Sequence, residues 1–523
     1  MKILIITGQQ SYPSITKIVQ PIIKHNIEVY KAPISISAFL TQNITKKILK
    51  LITLSKYDLI LIPGFVQWDT KDLERQFSAN IKKGPEFASD IPIILENLHK
   101  IKLSNSIPAN KLMETSGDEL FKEVLLKNIK IAKKNICQHT FYLNEKSSDI
   151  IIGHGIAPPI IAEIVNCTKK SDKDIIKKVS HYIQSGADII DIGCIANKPD
   201  PKRVKEVINL IRNNFNILVS IDSMHKDEIF TAIKKDIDLV LSFDLGNYRK
   251  FLNIPKDIPI VLLPSIINKG VFPKDPNSRV KNLLSLTKEM QNYGFTKLIA
   301  DPLLETPISP GICNSLQTYF LYRKIVSKPE NMHLELPLFF GISNVVELMD
   351  IDSVGINGLL ASIAIELDIG ILFTVEHSTK LIGGIAELNE CVKLNYISKY
   401  NRTPPINQGI SVFKAKGKTS QGVPEIDEKN AILVNTQNPT YIPDKNGYFR
   451  IYINHYSKKI YVLFFSNDDE LQNTLIGDNA EALSKKIIQL NLTKDVYHLN
   501  YLGRELNKAE FSIHSGKPYI QDV

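Results

Sequence analysis

The sequence predicts an α/β protein whose centre is an eight-stranded βα barrel, with a small parallel α/β domain before it and a small α+β domain after it. Three observations carry that prediction. Eight apolar runs recur between residues 152 and 395: IIAEIVN (160–166), ADIIDIG (187–193), NILVSID (216–222), IDLVLSF (237–243), IPIVLLP (258–264), KLIADP (297–302), LPLFFG (336–341) and DIGILFTV (368–375). Between most of them lie segments of helical period, such as DKDIIKKVSHYIQSG and RVKEVINLIRNNF. The unit is therefore βα, repeated over roughly 240 residues, which is the length such a barrel takes. At 523 residues the chain is also too long for one ordinary domain. The pattern changes character on both sides of the repeat.

On the amino-terminal side, KILIITG, IEVYKAP, YDLILIPGF and IPIILEN read as strands, with a helix through ITKIVQPIIKHN. Apolar runs separated by helical periodicity mark a small parallel sheet. Gly8 and Gly64 fall at strand ends, yet no GxGxxG or GxxxxGK[ST] follows either strand, so a scaffold or docking role is expected rather than a nucleotide site. On the other side, the Pro-rich RTPPINQG leads into strand-like FRIYINH and KIYVLFFS, a helix through NAEALSKKIIQLNL, and the terminal YLGRELNKAEFSIHSGKPYIQDV. Within it, Arg504, Glu505 and Glu510 read as a salt-bridged solvent face. The expected domains are residues 1–150, 151–400 and 401–523.

Composition narrows the function. With 43% hydrophobic and 23% charged residues the chain can bury sizeable cores. Its net charge of +9, from 64 Lys and Arg against 55 Asp and Glu, is spread without a basic block, which suits anionic small molecules better than nucleic acid. Five cysteines without a CxxC pair indicate neither a disulfide framework nor a zinc site, and suggest a reducing compartment. The opening MKILIITGQQ is a first strand rather than a signal peptide, and no run reaches the length of a membrane span. A cytoplasmic protein with no membrane and no nucleic-acid partner is expected.

In a βα barrel the chemistry sits at the carboxyl ends of the strands. Those ends read Asn166, Asp191, Asp222, Ser242 with Asp244, Asp301, Asn344, and Glu376 with His377. Asp191 shows why this matters. It closes an apolar run that Asp188 also interrupts, and a buried carboxylate without a partner costs several kcal/mol. One such residue is most simply tied to loop amides. A polar group at nearly every strand end points instead to a common mouth.

Residues 155–395 resemble the pterin-binding barrel shared by dihydropteroate synthases and the methyltetrahydrofolate-type methyltransferases. The matching stretches are EIVNCT, GADIIDIG, VSIDS, LIADP, FFGISN and INGLLASIAIELDIGILFTVEHS, in the family's order. The three-part layout resembles the archaeal dihydropteroate synthase-related proteins. The resemblance implies that Asp222 and Asp301 hold the pterin ring, whose N3–H and 2-amino group can both donate to one carboxylate. It places Asp191 at the edge of that ring and counts Ser242 among the pterin-binding positions. Asn166 it places near a diphosphate, with Mg²⁺ as the candidate ion there.

Three departures bear on the reaction. Ser242 stands where the synthase motif has Asn. In Gly341–Ile342–Ser343–Asn344–Val345 the synthase lysine is absent, and GISNV resembles the GLSNV of the methyltransferases, whose Asn lies near pterin N5. Val375 takes the place of an Arg two residues before His377, leaving Lys380 as the substitute cation. Asn344, His377 and Lys380 are the candidate catalytic residues. The resemblance implies a transferase using a reduced pterin as substrate. The favoured reaction is condensation of 6-hydroxymethyl-dihydropterin diphosphate with an arylamine, as in tetrahydromethanopterin synthesis. The alternatives are transfer from an N5-methyl pterin to a methyl acceptor, and a non-catalytic pterin carrier. A homodimer is the candidate assembly.

Overall fold

The structure, a computed structural model, describes residues 1–99, 101–145, 148–406, 408–413, 432 and 444–522. The chain divides into two compact units, Met1–Val124 with Ile397–Val434, and Leu125–Tyr396 with Asn435–Val523.

In the first unit, β1 (Lys2–Thr7), α1 (Tyr12–Val19), β2 (Asn26–Lys31), α2 (Gln42–Leu51), β3 (Leu59–Ile62), α3 (Lys71–Phe77), β4 (Ile81–Lys83) and α4 (Ile91–Glu96) form a parallel sheet of order β2-β1-β3-β4 with its covering helices. Alternation along β1 and β3 decides which helix covers which face. Ile3, Ile5, Leu59 and Leu61 meet Ile15 of α1 and Ile91 of α4, while Leu4, Ile6, Ile60 and Ile62 meet Ile48 of α2 and Leu73 of α3. IPIILEN, expected as a strand, is α4. Pro92 explains the difference, because it removes a ladder donor from a strand but fits a helix's first turn. The fourth strand is instead the short Ile81–Lys83.

The long α5 (Ala109–Ala132) precedes an antiparallel hairpin of β5 (Thr140–Tyr142) and β6 (Ile151–Gly153). Lys146, just before the expected domain boundary at residue 150, lies outside the described residues. The barrel follows as β7 (Ile160–Ile164), α6 (Asp172–Gln184), β8 (Ile189–Gly193), α7 (Pro201–Asn214), β9 (Leu218–Asp222), α8 (Lys226–Ile233), β10 (Leu239–Phe243), β11 (Ile260–Leu262), α9 (Pro276–Asn292), β12 (Leu298–Ala300), α10 (Ile312–Val326), β13 (Phe339–Gly341), α11 (Ser343–Val346), α12 (Ser353–Glu366), β14 (Ile371–Val375) and α13 (Gly384–Asn401). Its eight parallel strands pair in the order β12-β11-β10-β9-β8-β7-β14-β13, and a parallel bridge between Ala300 and Leu338 closes the ring. All eight strands lie within the apolar runs read from the sequence.

Ile161, Ile189, Leu218, Leu239, Val261, Ile299, Phe339 and Ile371 fill the barrel's lower layer, and Phe141, Leu143 and Ile152 of the hairpin pack against them. The foot of the barrel is thus sealed by apolar side chains, and the open end is the carboxyl-terminal one. Among the described residues no helix is long and apolar enough to cross a membrane.

In the carboxyl-terminal domain β15 (Tyr448–Asn454), β16 (Lys459–Phe465) and β17 (Leu471–Gly477) form an antiparallel sheet, covered on one face by α14 (Ala480–Gln489) and α15 (Val496–Ser515). LGRELNKAE is not a solvated face throughout. Glu505 is buried, accepting hydrogen bonds from Tyr519 (2.8 Å), the Asp522 amide (3.2 Å) and Lys508 (2.9 Å).

Candidate active site

Strand residues two apart share a face, so the side chains above the sealed lower layer can be read off directly. Above Ile161 stands Glu163, above Ile189 Asp191, above Leu218 Ser220 and then Asp222, and above Ile299 Asp301. The interior changes within one layer from aliphatic to acidic. β7 and β8 pair with Glu163 opposite Asp191, and β8 and β9 with Gly193 opposite Asp222. Gly193 leaves the room this requires, since a Cβ there would lie 2.2 Å from Glu163 Oε1.

Asp191 is fully buried. Its Oδ1 accepts a 2.6 Å hydrogen bond from Ser220, whereas its Oδ2 is buried without a partner. Burial, then the charges of Asp222 and Glu163, push its carboxyl well above the usual range. Asp222 is pushed up to about 6 by burial. Glu163 is pushed up to about 7 by burial, with the Asp222 and Glu347 charges adding to it. Asp301, also buried, is pushed up to about 7 by burial against the pull of the Leu303 amide, Tyr319 and Arg279. Both hydrogen bonds Asp301 receives fall on Oδ1, from the Leu303 amide at 2.8 Å and the Tyr319 hydroxyl at 3.4 Å. At neutral pH such a ring holds protonated and ionised carboxyls side by side, so it can both donate to a ligand and accept from it.

The structure gathers Asp191 and Asp222 with Glu163 on one side, and Asp301 with Asn344 on another. Asn344, exposed on α11, donates through Nδ2 to the Leu304 carbonyl at 2.9 Å, in the loop that follows Asp301. Asn166 is exposed just past the end of β7, in a left-handed conformation with φ +51°. Ser242 is half-buried at the end of β10. His377 is exposed beyond β14. Lys380, expected as the substitute cation, donates to the Met349 carbonyl and lies 3.6 Å from Asp350. Asp244 is a loop carboxylate that accepts from the amides of Gly246 (2.8 Å), Asn247 (2.9 Å) and Ile267 (2.6 Å). Asp188 likewise ties the amide of Ile160 at 2.8 Å. Glu376 binds His181 at 2.9 Å and the Ile385 amide at 3.1 Å.

Glu163 is a member of the site that the strand ends do not reveal. The available signal is its spacing, because a charge two residues past the inward-facing Ile161 must point the same way. No group of three His, Cys, Asp or Glu side chains among the described residues forms a metal site.

The family described as Pterin binding enzyme matches residues 164–355, and that described as PterinBD-DUF4346 matches residues 443–522. An uncharacterized protein of Methanocaldococcus jannaschii, MJ0107, is 32% identical over 533 residues, covering 100% of this chain and 98% of that one. The chain belongs to the archaeal dihydropteroate synthase-related, pterin-binding barrel family. The end-to-end match extends across the barrel and both flanking domains. Among solved structures, Yersinia pestis dihydropteroate synthase is 15% identical, covers 50% of this chain and 99% of its own, and has a TM-score of 0.37. Wild-type Plasmodium falciparum HPPK-DHPS, solved with pterin and p-hydroxybenzoate, is 15% identical over 51% of this chain and 52% of its own, with a TM-score of 0.38.

Proposed function

We propose that this protein is a pterin-dependent transferase that holds a reduced pterin at the barrel mouth through Asp222 and Asp301, with Asp191 and Ser242 at the ring's edge. The observation that carries the reading is the set of buried carboxyls turned into the mouth with acceptor atoms uncommitted to the protein, above all Asp301 with both its bonds on Oδ1. The N3–H and 2-amino group of a pterin are a matched pair of donors for such a carboxylate.

The reaction we favour is condensation with an arylamine as a step of tetrahydromethanopterin synthesis. The amine nitrogen bonds to the methylene carbon on C6, the carbon–oxygen bond to diphosphate breaks with its electron pair leaving on diphosphate, and the amine loses a proton. An acidic mouth favours the positive character that grows on the pterin methylene, while His377 acts on the departing charge; a Mg²⁺ carried by the diphosphate would lie beside Asn166 and would supply positive charge there. A second reading has its own observation. Lys380 is committed to Met349 and Asp350, and Asn344 is fixed beside the Asp301 loop, which suits transfer from an N5-methyl pterin to a methyl acceptor with Asn344 bonding N5.

Calorimetry with 6-hydroxymethyl-dihydropterin tests the common core. Asp301→Asn should cost on the order of 2 to 4 kcal/mol, weakening binding well over tenfold, and unchanged affinity removes the assignment. Turnover then separates the reactions. In condensation, His377→Ala and Lys380→Ala slow product formation more than Asn344→Ala does. In methyl transfer, Asn344→Ala loses about a hundredfold and the diphosphate substrate is inert.

A further inference from the structure

Arg279, on the first turn of α9, is 1% exposed, and its side chain ties the loop before α9, the loop after β12 and the start of α10 together. Its Nε donates to the Pro273 carbonyl at 2.7 Å, and its Nη1 to the Leu303 carbonyl at 3.1 Å and to Ser315 Oγ at 3.4 Å. Its Nη2 pairs with Glu305. Ser315, also buried, accepts from the Glu305 amide at 3.0 Å. The segment held in this way is the one that follows the sixth barrel strand. Leu303 adopts a left-handed conformation, with φ +68°, that a leucine enters only at a cost, so the segment needs external support. Within it the Leu303 amide binds Asp301 Oδ1, and the Leu304 carbonyl receives Asn344.

We propose that Arg279 is a positioning residue whose planar fork fixes the backbone of residues 303–305 and so sets the carboxylate of Asp301 and the amide of Asn344 toward one ligand. This rests on the pterin reading for its ligand, though the clamp itself belongs to the protein. A guanidinium suits the task where an ammonium does not. Its donors diverge in one plane and reach two carbonyls, a hydroxyl and a carboxylate at once, while its fixed charge favours the ionised form of Asp301. The groups bearing on Asp301 are Tyr319 from α10, the Leu303 amide of its own loop, and Arg279 from α9. Arg279→Met therefore acts on both position and charge, whereas Arg279→Lys acts on position alone.

The test uses the full chain and 6-hydroxymethyl-dihydropterin, with affinity measured by calorimetry across pH and amide exchange followed at residues 303–305. Arg279→Lys should weaken binding at least tenfold, leave the pH midpoint of binding in place and speed exchange of those amides. Arg279→Met should add an upward shift of that midpoint, because the carboxylate loses the charge of the guanidinium. A role in stability alone would lower the melting temperature without moving the midpoint or localising the exchange, and that outcome overturns the proposal. If Arg279→Met does not fold, Arg279→Lys and Glu305→Gln decide. Unchanged affinity and unchanged exchange in both overturn the proposal. If the wild-type chain binds no pterin, the pterin reading fails while the clamp still stands or falls on exchange of the 303–305 amides.

Discussion

At the scale of single residues, the acidic layer at the mouth is held at a cost to stability that pH can reveal. Glu163, Asp222 and Asp301 have folded-state pKa values of about 7, 6 and 7, above the 4.5, 3.8 and 3.8 of unperturbed groups. Below the unperturbed values the folded and unfolded chains both carry these protons, and the stability is intact. As pH rises through the folded values, the unfolded chain has already released its protons and is favoured, so stability is lost between about pH 4 and pH 7. Glu163→Gln removes one such group while keeping its shape. It should raise stability by on the order of 1 to 2 kcal/mol at mildly alkaline pH and by almost nothing near pH 4, as thermal melts at the two pH values will show. Equal gains at both would mean that packing, not ionisation, governs the site. The layer is partly legible in the sequence. Asp222 and Asp301 each end an apolar run, and that position alone assigns them to the mouth, whereas Asp191 stands two residues before the end of β8. Glu163 lies inside its run rather than at its end, so only the alternation from Ile161 reveals it. The engagement of Lys380 by Met349 and Asp350 is not legible at all, because it depends on how the loop after β13 folds back on the loop after β14.

At the scale of elements, the periodic pattern locates the strands of the barrel because each is buried on both faces and reads as a continuous apolar run. It cannot separate such a run from a short buried helix, which is why the residues of α4 read as a strand. Nor does it show the β5–β6 hairpin, whose strands of three residues each are too short to carry a period. That hairpin is held to the barrel by polar contacts at the foot. His154, just after β6, binds Asp368 at 2.9 Å and Glu335 at 3.0 Å, residues that lead into β14 and β13, and Arg323 of α10 reaches Glu335 at 3.1 Å. The two carboxylates push the imidazole up to about 9, so it is a cation at neutral pH. A raised histidine contributes its stability in full below the unfolded value of 6.5 and loses it as pH passes through about 9. His154→Gln should therefore lower the melting temperature at about pH 6 and leave it nearly unchanged at about pH 10. Since the imidazole is partly exposed, the loss should be about 1 kcal/mol, a few degrees, after solvent screening. Equal destabilisation at both pH values would show that shape rather than charge joins the hairpin to the barrel.

At the scale of the whole molecule, the carboxyl-terminal domain shares a compact unit with the barrel, and its contacts with the barrel fall on α6, the start of α12 and the segment after β14. Tyr456, in the β15–β16 turn, packs edge-on against His181 with ring centroids 5.1 Å apart, and Lys177 lies 4.5 Å over the same tyrosine ring. His181 is the partner of Glu376, next to His377, so the domain rests against a pair that adjoins a candidate catalytic residue. Lys517 pairs with Asp352 at the start of α12. The tightest approach is at Gly516, which ends α15 in the left-handed conformation with φ +67°, where a Cβ would lie 2.4 Å from the Ile382 carbonyl. Gly503, on the same helix, faces open space, and a Cβ added there would meet nothing within 4 Å. The two glycines therefore separate local helix energetics from docking. Gly503→Ala should stabilise by roughly 0.5 to 1 kcal/mol through helix propensity alone. Gly516→Ala should lose about 1 to 2 kcal/mol to the left-handed alanine, and must also push the helix end away from Ile382. Scanning calorimetry should show the barrel and carboxyl-terminal domain melting together in the wild type and in Gly503→Ala, and an earlier, separate transition for the carboxyl-terminal domain in Gly516→Ala. If Gly516→Ala lowers one joint transition without splitting it, the tyrosine and lysine contacts hold the domain to the barrel by themselves, and the close packing at Ile382 is not what couples the two.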